Sequence, residues 1–331
     1  MSGKPIVPQD EYMHQPTDHP QFNESAYYNL VDHDSGFAVL IRMGNRVNER
    51  HAEVTVLVYL PGGRAAIRFD RAPIATNNAF DAAGLKFEII EPLQTMRVTF
   101  NGTGYLLAHG TDLEDPKSAF TSSPLVPLNL DLRYQNTVPV FGLGDGSGIE
   151  GTAGVVADGH YQGPCHVSGS VQVGDEEFSF EDVTGYRDHS WGPRIWQGPA
   201  FWRWLTGLTD DDWGILGWIQ RIGDTRPPGH GMIMRDGVIE KVNKVDVHTE
   251  YGPAPYYPEK ISMQLTTESG EIVDAVGTPY HIVPLRHRRD DSVARVAEYL
   301  VKWEFLGRTG YGFCEYQDLI VDGIPAGMSE A

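Results

Sequence analysis

Cysteine and basic residues are both scarce in this sequence. Only two of its 331 residues are cysteines, Cys165 and Cys314. A pair so far apart matches neither a disulfide framework nor a set of zinc ligands, and it favours a reducing compartment. Twenty-six Lys and Arg stand against forty-five Asp and Glu, so the formal net charge is −19. An acidic chain of this kind is poorly suited to nucleic acid or to anionic membrane surfaces, and we expect neither as a partner.

Long apolar runs are missing as well. A membrane-spanning helix needs about 18 or more consecutive apolar residues, and no such run occurs. We therefore expect no stable membrane insertion. The first residues, MSGKPIVPQDEYMHQ, lack the apolar core of a signal peptide. Together with the cysteine count, this predicts a cytoplasmic protein.

Amphipathic helical patterns are also rare, whereas alternation with a period of two is common. Between Pro127 and Tyr134, the apolar residues Leu128, Leu130 and Leu132 alternate with polar ones, as in a half-buried antiparallel strand. Alternation or short apolar runs predict further strands at residues 37–42, 52–59, 85–90, 96–100, 167–173, 202–208, 213–220, 238–245, 261–266 and 297–305. The 37 glycines and 22 prolines indicate frequent turns rather than long helices.

Four glycine-containing segments are predicted to be turns between these strands. They are Pro61-Gly62-Gly63, Asn101-Gly102, Asp236-Gly237 and Ser269-Gly270, whose residues tolerate positive φ. Many short strands joined in this way are typical of β-barrels and sandwiches. At roughly 150 residues per domain, the length suggests two domains. We therefore predict an all-β protein with two antiparallel domains.

One stretch, GYRDHSWGPR at residues 185–194, concentrates ionisable and aromatic groups. In a strand its side chains would alternate, with Tyr186, Asp188 and Ser190 on one face and Arg187, His189 and Trp191 on the other. If His189 points inward, an imidazole lies beside an indole in an apolar interior. If Asp188 points inward instead, burial favours its protonated form. Either arrangement places a proton donor beside an electron-rich ring.

The tryptophans are also concentrated here, because six of the seven lie between residues 191 and 218. This predicts an aromatic lining for an apolar pocket. The candidate substrate-binding residues in and after the stretch are Tyr186, Arg187, Arg194, Trp196, Trp202, Trp204 and Trp218. A structural alternative stays open, in which Arg187, Asp188 and Arg194 form an ion-pair network and Trp191 is an ordinary core residue.

Glu24 and Tyr28 are further candidates for an acid or a hydrogen-bonding group in the site. The segment Asn23-Glu24-Ser25 is also typical of a strand entry or cap, so a structural role is the alternative. The twelve histidines show no metal-ligand spacing with carboxylate support. We therefore expect no metal and no cofactor.

The string YRDHSWG at residues 186–192 resembles the YxDHxWG signature of the carotenoid hydratase (hydroxyneurosporene synthase) superfamily, which includes kievitone-hydratase-like proteins. Residues 22–28, 41–42, 160–161 and 310–316 are similar to an uncharacterised bacterial branch of that superfamily, so the resemblance spans nearly the whole chain. It implies two consecutive lipocalin-like antiparallel β-barrels or half-barrels. The first would cover residues 1–195 and end in the signature, the second would cover residues 196–331, and a pocket would lie where they meet.

In the related hydratases, the His and Trp of the signature are implicated in catalysis together with a Tyr and an Asp further along the chain. The His and Trp of the signature match His189 and Trp191 here. The later acid is expected within residues 211–220, DDWGILGWIQ, but this segment is apolar at that place. Motif and resemblance together predict a cofactor-independent hydratase, dehydratase or related isomerase acting on an alkene or alcohol of a hydrophobic, isoprenoid-like substrate. Its predicted catalytic residues are Asp188, His189 and Trp191.

A non-enzymatic function is the competing hypothesis, namely a lipocalin-like carrier of an apolar small molecule. The Arg187-Asp188-His189 run favours the enzyme, because a carrier has no use for a proton-transfer pair in its pocket. The sequence leaves open the direction of the reaction, which of Asp188 and His189 is the acid, and whether the chain forms a homodimer.

Overall fold

The computed structural model describes residues 4–143 and 157–330, and strands dominate both ranges. Neighbouring strands in these ranges pair antiparallel, which confirms the predicted all-β class. The chain divides into two units, one ending at Ile195 and the other beginning at Trp196. Within the described residues, no helix has both the length and the apolar character needed to cross a membrane.

The first unit consists mainly of strands. They are β1 (Phe22–Asp32), β2 (Phe37–Arg46), β3 (His51–Tyr59), β4 (Ala65–Pro73), β5 (Asp81–Ala82), β6 (Leu85–Glu91), β7 (Thr95–Leu107), β8 (Leu125–Asn136), β9 (Phe141–Leu143), β10 (Gly159–Val173) and β11 (Glu176–Pro193). A short helix, α1 (Pro116–Ser122), lies between β7 and β8, and 3-10 turns occur at Pro8–Glu11, Val47–Glu49, Pro61–Gly63 and Gly110–Glu114. The seven-residue α1 begins where the Asp115 side chain accepts a hydrogen bond from the Ser118 N–H, a common N-cap.

Eight of these strands close into a barrel in the order β4-β3-β2-β1-β11-β10-β8-β7, because β4 also pairs with β7. Strand β1 fits this position since its alternate residues Ala26, Tyr28 and Leu30 belong to the apolar core. The neighbouring β11 carries the YRDHSWG signature. The β1–β11 register places Glu24 opposite Trp191 and Ala26 opposite His189. The fold therefore brings the signature against the start of the first strand.

The second unit is likewise built from strands. They are β12 (Pro199–Leu208), β13 (Gly214–Ile222), β14 (His230–Arg235), β15 (Val238–Tyr251), β16 (Pro258–Thr267), β17 (Ile272–Arg289), β18 (Ser292–Phe305), β19 (Arg308–Val321) and β20 (Ile324–Pro325), followed by a 3-10 turn at Ala326–Glu330. Pairing of β12 with β19 closes a barrel of its own. Large side chains such as Trp303, Tyr299 and Tyr316 are buried in its core.

Each predicted strand segment lies within an observed strand to within one residue. Several strands are longer than predicted, and β8, β10, β12, β16 and β18 begin two to eight residues earlier. One predicted turn is wrong, because Asn101-Gly102 lies inside β7 and pairs with Asn129 and Leu128 of β8. Gly102 is needed there for space rather than for a turn, since a Cβ atom at this position would lie 2.8 Å from the Phe100 ring. The other three glycine segments do connect consecutive strands.

Candidate functional site

The first unit contains a cavity of about 430 Å³, a volume typical of small-molecule sites. Its apolar lining is Met13, Ala26, Phe80, Phe87, Ile89 and Met96. Its polar lining includes Glu11, Tyr28, Asn77 and His189. The cavity is therefore apolar over much of its wall and carries ionisable groups in one part of it.

His189 reaches this cavity because side chains alternate along β11. It is 2% exposed and lies between two registered neighbours, Ala26 on β1 and Tyr161 on β10. Its ring also meets the Phe80 ring edge to face, with centroids 5.7 Å apart. The imidazole is thus fixed in an apolar and aromatic setting.

The Glu24 carboxylate, near the start of β1, accepts hydrogen bonds from several N–H groups. Nε2 of His189 lies 3.0 Å from Oε1, and Nδ1 of His14 lies 2.9 Å from the same oxygen. The His14 backbone N–H and the Asn77 amide also donate to this carboxylate. Burial opposes the charge, but the hydrogen bonds from His14 and His189 outweigh it and hold the pKa of Glu24 below its usual value.

The ionised state of Glu24 determines where the two imidazoles carry their protons. An ionised carboxylate can only accept hydrogen bonds. His189 therefore carries a proton on Nε2, and His14 carries one on Nδ1. The nitrogen of His189 that remains for proton transfer is Nδ1.

A second buried carboxylate, Glu11, approaches from the other side of His189. The Tyr161 hydroxyl lies 3.2 Å from Nδ1 of His189 and 2.9 Å from Oε1 of Glu11. Arg187 donates to that same Glu11 oxygen at 2.6 Å, and the Leu93 N–H donates to Oε2 at 2.8 Å. Burial by itself raises the pKa of Glu11, but the Arg187 charge and hydrogen bond outweigh it and lower the pKa below its usual value.

Residues 8–15, called here the N-terminal strap, supply Glu11, Met13 and His14 to this site. The His14 ring stacks on the Trp191 indole, with centroids 3.7 Å apart and planes 10° apart. The Asn77 amide donates to the His14 carbonyl. The strap is thus bound through the same polar groups that surround His189.

Tyr28, on the inner face of β1, adds a neutral hydroxyl to the cavity wall. Burial raises the pKa of Tyr28 despite the nearby Arg187 charge. The Arg187 guanidinium carbon lies 5.5 Å from the Tyr28 ring centroid. Among the hydrogen bonds of residues 4–143 and 157–330, none involves the Tyr28 hydroxyl, so it is available to a bound molecule.

Asp188 and Trp191 are placed differently from His189. Asp188 lies on the opposite face of β11, with Oδ2 3.5 Å from Nε2 of His160, and it is not among the described residues that line the cavity. Trp191 shares the inner face and is buried, but its ring lies against His14 and over Gly159. Of the three predicted catalytic residues, the structure brings only His189 to the cavity wall.

The remaining predicted residues have structural neighbours of their own. Arg187 forms its ion pair with Glu11, which corrects the alternative network of Arg187, Asp188 and Arg194. Arg194 donates to the Ser190 hydroxyl at 3.1 Å. Tyr186 is buried on the Asp188 face of the strand.

Four predicted tryptophans, Trp196, Trp202, Trp204 and Trp218, belong to the second unit. Trp196 stacks on His287, and Trp202 donates to the Glu315 carboxylate. The cavity beside His189 is lined by first-unit residues, and its aromatic lining includes Tyr12, Tyr28, Phe80 and Phe87 rather than these tryptophans. A pocket where the two domains meet stays a prediction.

The spacing of His14, Glu24 and His189 along the chain gives no sign that these residues group together. Their potential ligand atoms all lie within 4.8 Å of one another, although the spacing of the histidines along the chain shows no such set. They were missed because 10 and 165 residues separate the two histidines from Glu24. Since the carboxylate also binds a backbone N–H and an amide, we interpret the set as a hydrogen-bonded network.

Comparison with protein families shows a match over residues 7–320 to a domain of unknown function, DUF7064. Comparison with curated protein sequences gives no significant match. Three solved structures are similar along nearly the whole chain. CghA has a TM-score of 0.60 and 11% sequence identity, and the match covers 99% of this chain and 95% of CghA. Kievitone hydratase from Nectria haematococca has a TM-score of 0.59 and 14% identity, with coverage of 95% of this chain and 93% of that chain. An AttH-like protein from Nitrosomonas europaea has a TM-score of 0.56 and 16% identity, with coverage of 94% of this chain and 98% of that chain.

At identities this low, the structural similarity establishes the fold and leaves the reaction to be tested. It confirms the resemblance to kievitone-hydratase-like proteins that the YRDHSWG signature indicates. The family match covers far more than half of the sequence. The chain therefore belongs to the DUF7064 family and shares its fold with kievitone hydratase and CghA.

Proposed function

We propose that this protein is a hydratase, dehydratase or related isomerase that acts by acid–base catalysis on an alkene or alcohol of a hydrophobic substrate. One observation carries the proposal: an apolar cavity has both His189 and Glu11 in its wall. Each of these groups is held by an oppositely charged or hydrogen-bonded partner, Glu24 for His189 and Arg187 for Glu11. Such an arrangement suits proton transfer in a site that excludes bulk water.

The apolar part of the cavity fits an isoprenoid-like substrate. Protonation of a substituted alkene generates a tertiary carbocation, which an electron-rich ring face stabilises by about 0.5–2 kcal/mol. Phe80, Phe87 and Tyr28 supply aromatic rings to the cavity wall. The Tyr28 hydroxyl is suited to hydrogen bonding with the alcohol or with the attacking water.

Hydration in this site needs one acid and one base. His189, protonated at both nitrogens, transfers the Nδ1 proton from its hydrogen bond with the Tyr161 oxygen to an alkene carbon, and the π electrons form the new C–H bond. Water adds to the carbocation, and the ionised Glu11 takes a proton from the oxygen, which yields the alcohol. Dehydration is the reverse, and isomerisation follows when the base removes a carbon-bound proton instead. These steps need only the side chains of this chain.

The similar structures support this class of reaction. One of them is a kievitone hydratase, and CghA was also solved with Sch210972. The cavity of this chain is consistent with an organic ligand of that general kind. Its polar groups differ from the predicted set, because Glu11 takes the place proposed for Asp188.

The carrier hypothesis makes a different use of the same cavity. A carrier gains affinity from the apolar lining, whereas burying Glu11, Arg187 and Glu24 costs several kcal/mol per ion before pairing offsets it. Retaining these charges beside the cavity favours chemistry over simple transport. Binding without turnover is the result expected of a carrier.

The test is incubation of the purified protein with terpenoid, steroid and phenolic alkenes and their hydrated alcohols, with mass spectrometry to detect gain or loss of one water. We expect His189→Ala to lower turnover by roughly 10²–10⁴-fold. Asp188→Asn is the matched control, because Asp188 is next to His189 in the sequence but its side chain points to the other face of β11. The activity of this variant should stay within about 3-fold of wild type. Thermal melts confirm that both variants are folded.

Two results would contradict the proposal. Tight binding of alkenes with no conversion of any of them would identify a carrier. Full activity in His189→Ala, or its loss in Asp188→Asn alone, would place the chemistry on the other face of the strand.

A further inference from the structure

We propose that Tyr161 is a positioning residue that passes a proton between Glu11 and His189 and so resets the site after each turnover. This inference rests on the proposed acid–base function and assigns a role to a residue outside the YRDHSWG signature. Tyr161 is fully buried on β10, directly opposite His189 on β11. Its hydroxyl group links the Glu11 carboxylate to the His189 imidazole.

The hydrogen bonds of this hydroxyl define the relay. Its oxygen lies 2.9 Å from Oε1 of Glu11 and 3.2 Å from Nδ1 of His189, and it accepts an N–H from Arg187 at 3.0 Å. The single hydroxyl proton faces two acceptors and can be donated to only one of them at a time. Its orientation is therefore coupled to the protonation states of both neighbours.

Two states of the network have the same number of protons. In the first, His189 is protonated at Nδ1 and donates to the Tyr161 oxygen, while Tyr161 donates to ionised Glu11. In the second, Glu11 is protonated and donates to Tyr161, while Tyr161 donates to neutral His189. Moving two protons, one across each hydrogen bond, interconverts the states without forming a phenolate.

A relay is needed because hydration leaves the protons on the wrong residues. His189 has lost a proton to the alkene, and Glu11 has gained one from water. When the Glu11 proton moves to the Tyr161 oxygen and the Tyr161 proton moves to Nδ1 of His189, the starting state returns. Since burial raises the pKa of Tyr161, a concerted transfer through the neutral hydroxyl is favoured over a charged intermediate.

The surrounding charges are compatible with this exchange. Arg187 remains bonded to both Glu11 and Tyr161, while Glu24 holds the opposite nitrogen of His189 and also binds His14. None of these partners must move for the two protons to cross. The relay therefore requires only two protons to move, one across the Glu11–Tyr161 hydrogen bond and one across the Tyr161–His189 hydrogen bond.

The kinetic test uses Tyr161→Phe, which removes the hydroxyl and keeps the ring. We expect kcat to fall about 100-fold, in the range of general acid–base contributions, with KM within about 2-fold of wild type. Adding imidazole or formate as an external proton carrier should restore part of the lost kcat with saturation, whereas wild-type kcat should not depend on buffer concentration.

Tyr134→Phe is the matched control. Tyr134 is a buried tyrosine of the first unit's apolar core, and its hydroxyl has no hydrogen-bond partner among the described residues. This variant should match wild type in kcat and show no response to buffer. Wild-type kcat in Tyr161→Phe, or a lowered kcat that buffer does not raise, would overturn the relay.

A second measurement does not depend on turnover. In protein with ¹⁵N-labelled histidine, NMR should show the His189 Nδ1 resonance shifting in Tyr161→Phe and staying unchanged in Tyr134→Phe. An unchanged Nδ1 resonance in Tyr161→Phe would overturn the relay even if no substrate is found. Absence of turnover in the wild-type protein contradicts the proposed function separately, so the two failures can be told apart.

Discussion

Gly159, at the start of β10, leaves the space in which Trp191 lies. A Cβ atom at Gly159 would lie 2.2 Å from Cζ2 of the Trp191 indole, closer than any real contact. The indole cannot retreat freely, because His14 stacks on it at a centroid distance of 3.7 Å. A glycine is therefore required here by close packing rather than by its backbone angles.

We expect Gly159→Ala to lower the free energy of unfolding by about 1–3 kcal/mol, the usual cost of overpacking a core. Gly163→Ala on the same strand is the control, since its new methyl group would meet only ordinary contacts at 3.5 Å. Urea unfolding followed by tryptophan fluorescence measures both. Equal stability of the two variants would show that Trp191 is not held against Gly159.

Several site residues could be predicted from the sequence because they lie in or near unusual local patterns. His189 belongs to a dense polar and aromatic stretch, and Glu24 and Tyr28 lie in a strand entry. Glu11 and Tyr161 could not be found in this way. They become partners only through the fold, since 150 residues separate them, and the carboxylate of Glu11 meets Arg187 across 176 residues.

The N-terminal strap is the element on which the site most depends. It places Glu11 against Arg187 and Tyr161, and it places His14 against Glu24 and Trp191. Its sequence gives little sign of this role, because residues 8–15 show neither an apolar period nor a known motif. Strands were easier to predict than the strap, since alternation of side chains between core and solvent is a local property.

We expect deletion of residues 1–15 to lower the free energy of unfolding by about 3–5 kcal/mol, because Arg187 would be left as a buried charge without its carboxylate. Deletion of residues 1–6 is the control and keeps the 3-10 turn at Pro8–Glu11. Denaturant unfolding of the two shortened proteins measures the difference. If both unfold at the same denaturant concentration, the strap does not stabilise the barrel.

The acidic residues that give the whole molecule its net charge of −19 include two kinds of carboxylate. Most acidic side chains lie at the surface, where solvent screens them. Glu11 and Glu24 are instead buried, and their partners hold both pKa values below the usual 4.5. Composition can predict an acidic and highly charged surface, but it cannot separate these two carboxylates from the others, because their environment depends on strand pairing and on the strap.

The stability of the fold should depend on pH through the buried carboxylates Glu11 and Glu24. A carboxylate whose pKa is lower in the folded state stabilises the fold above its unfolded pKa, and that stabilisation is lost as pH falls through the folded value. Glu11 and Glu24 should thus lower the free energy of unfolding progressively below about pH 4.5, by at most about 1.4 kcal/mol per pH unit for each group. The double variant Glu11→Gln/Glu24→Gln should be less stable at pH 7 and should show a shallower loss in acid. Glu88→Gln/Glu304→Gln is the control, because these solvent-accessible carboxylates have pKa values lowered mainly by Lys86 and Lys302 and solvent weakens such pairs. Urea unfolding at a series of pH values compares the three proteins, and a wild-type curve parallel to that of the buried double variant would show that Glu11 and Glu24 are not ionised partners in the folded state.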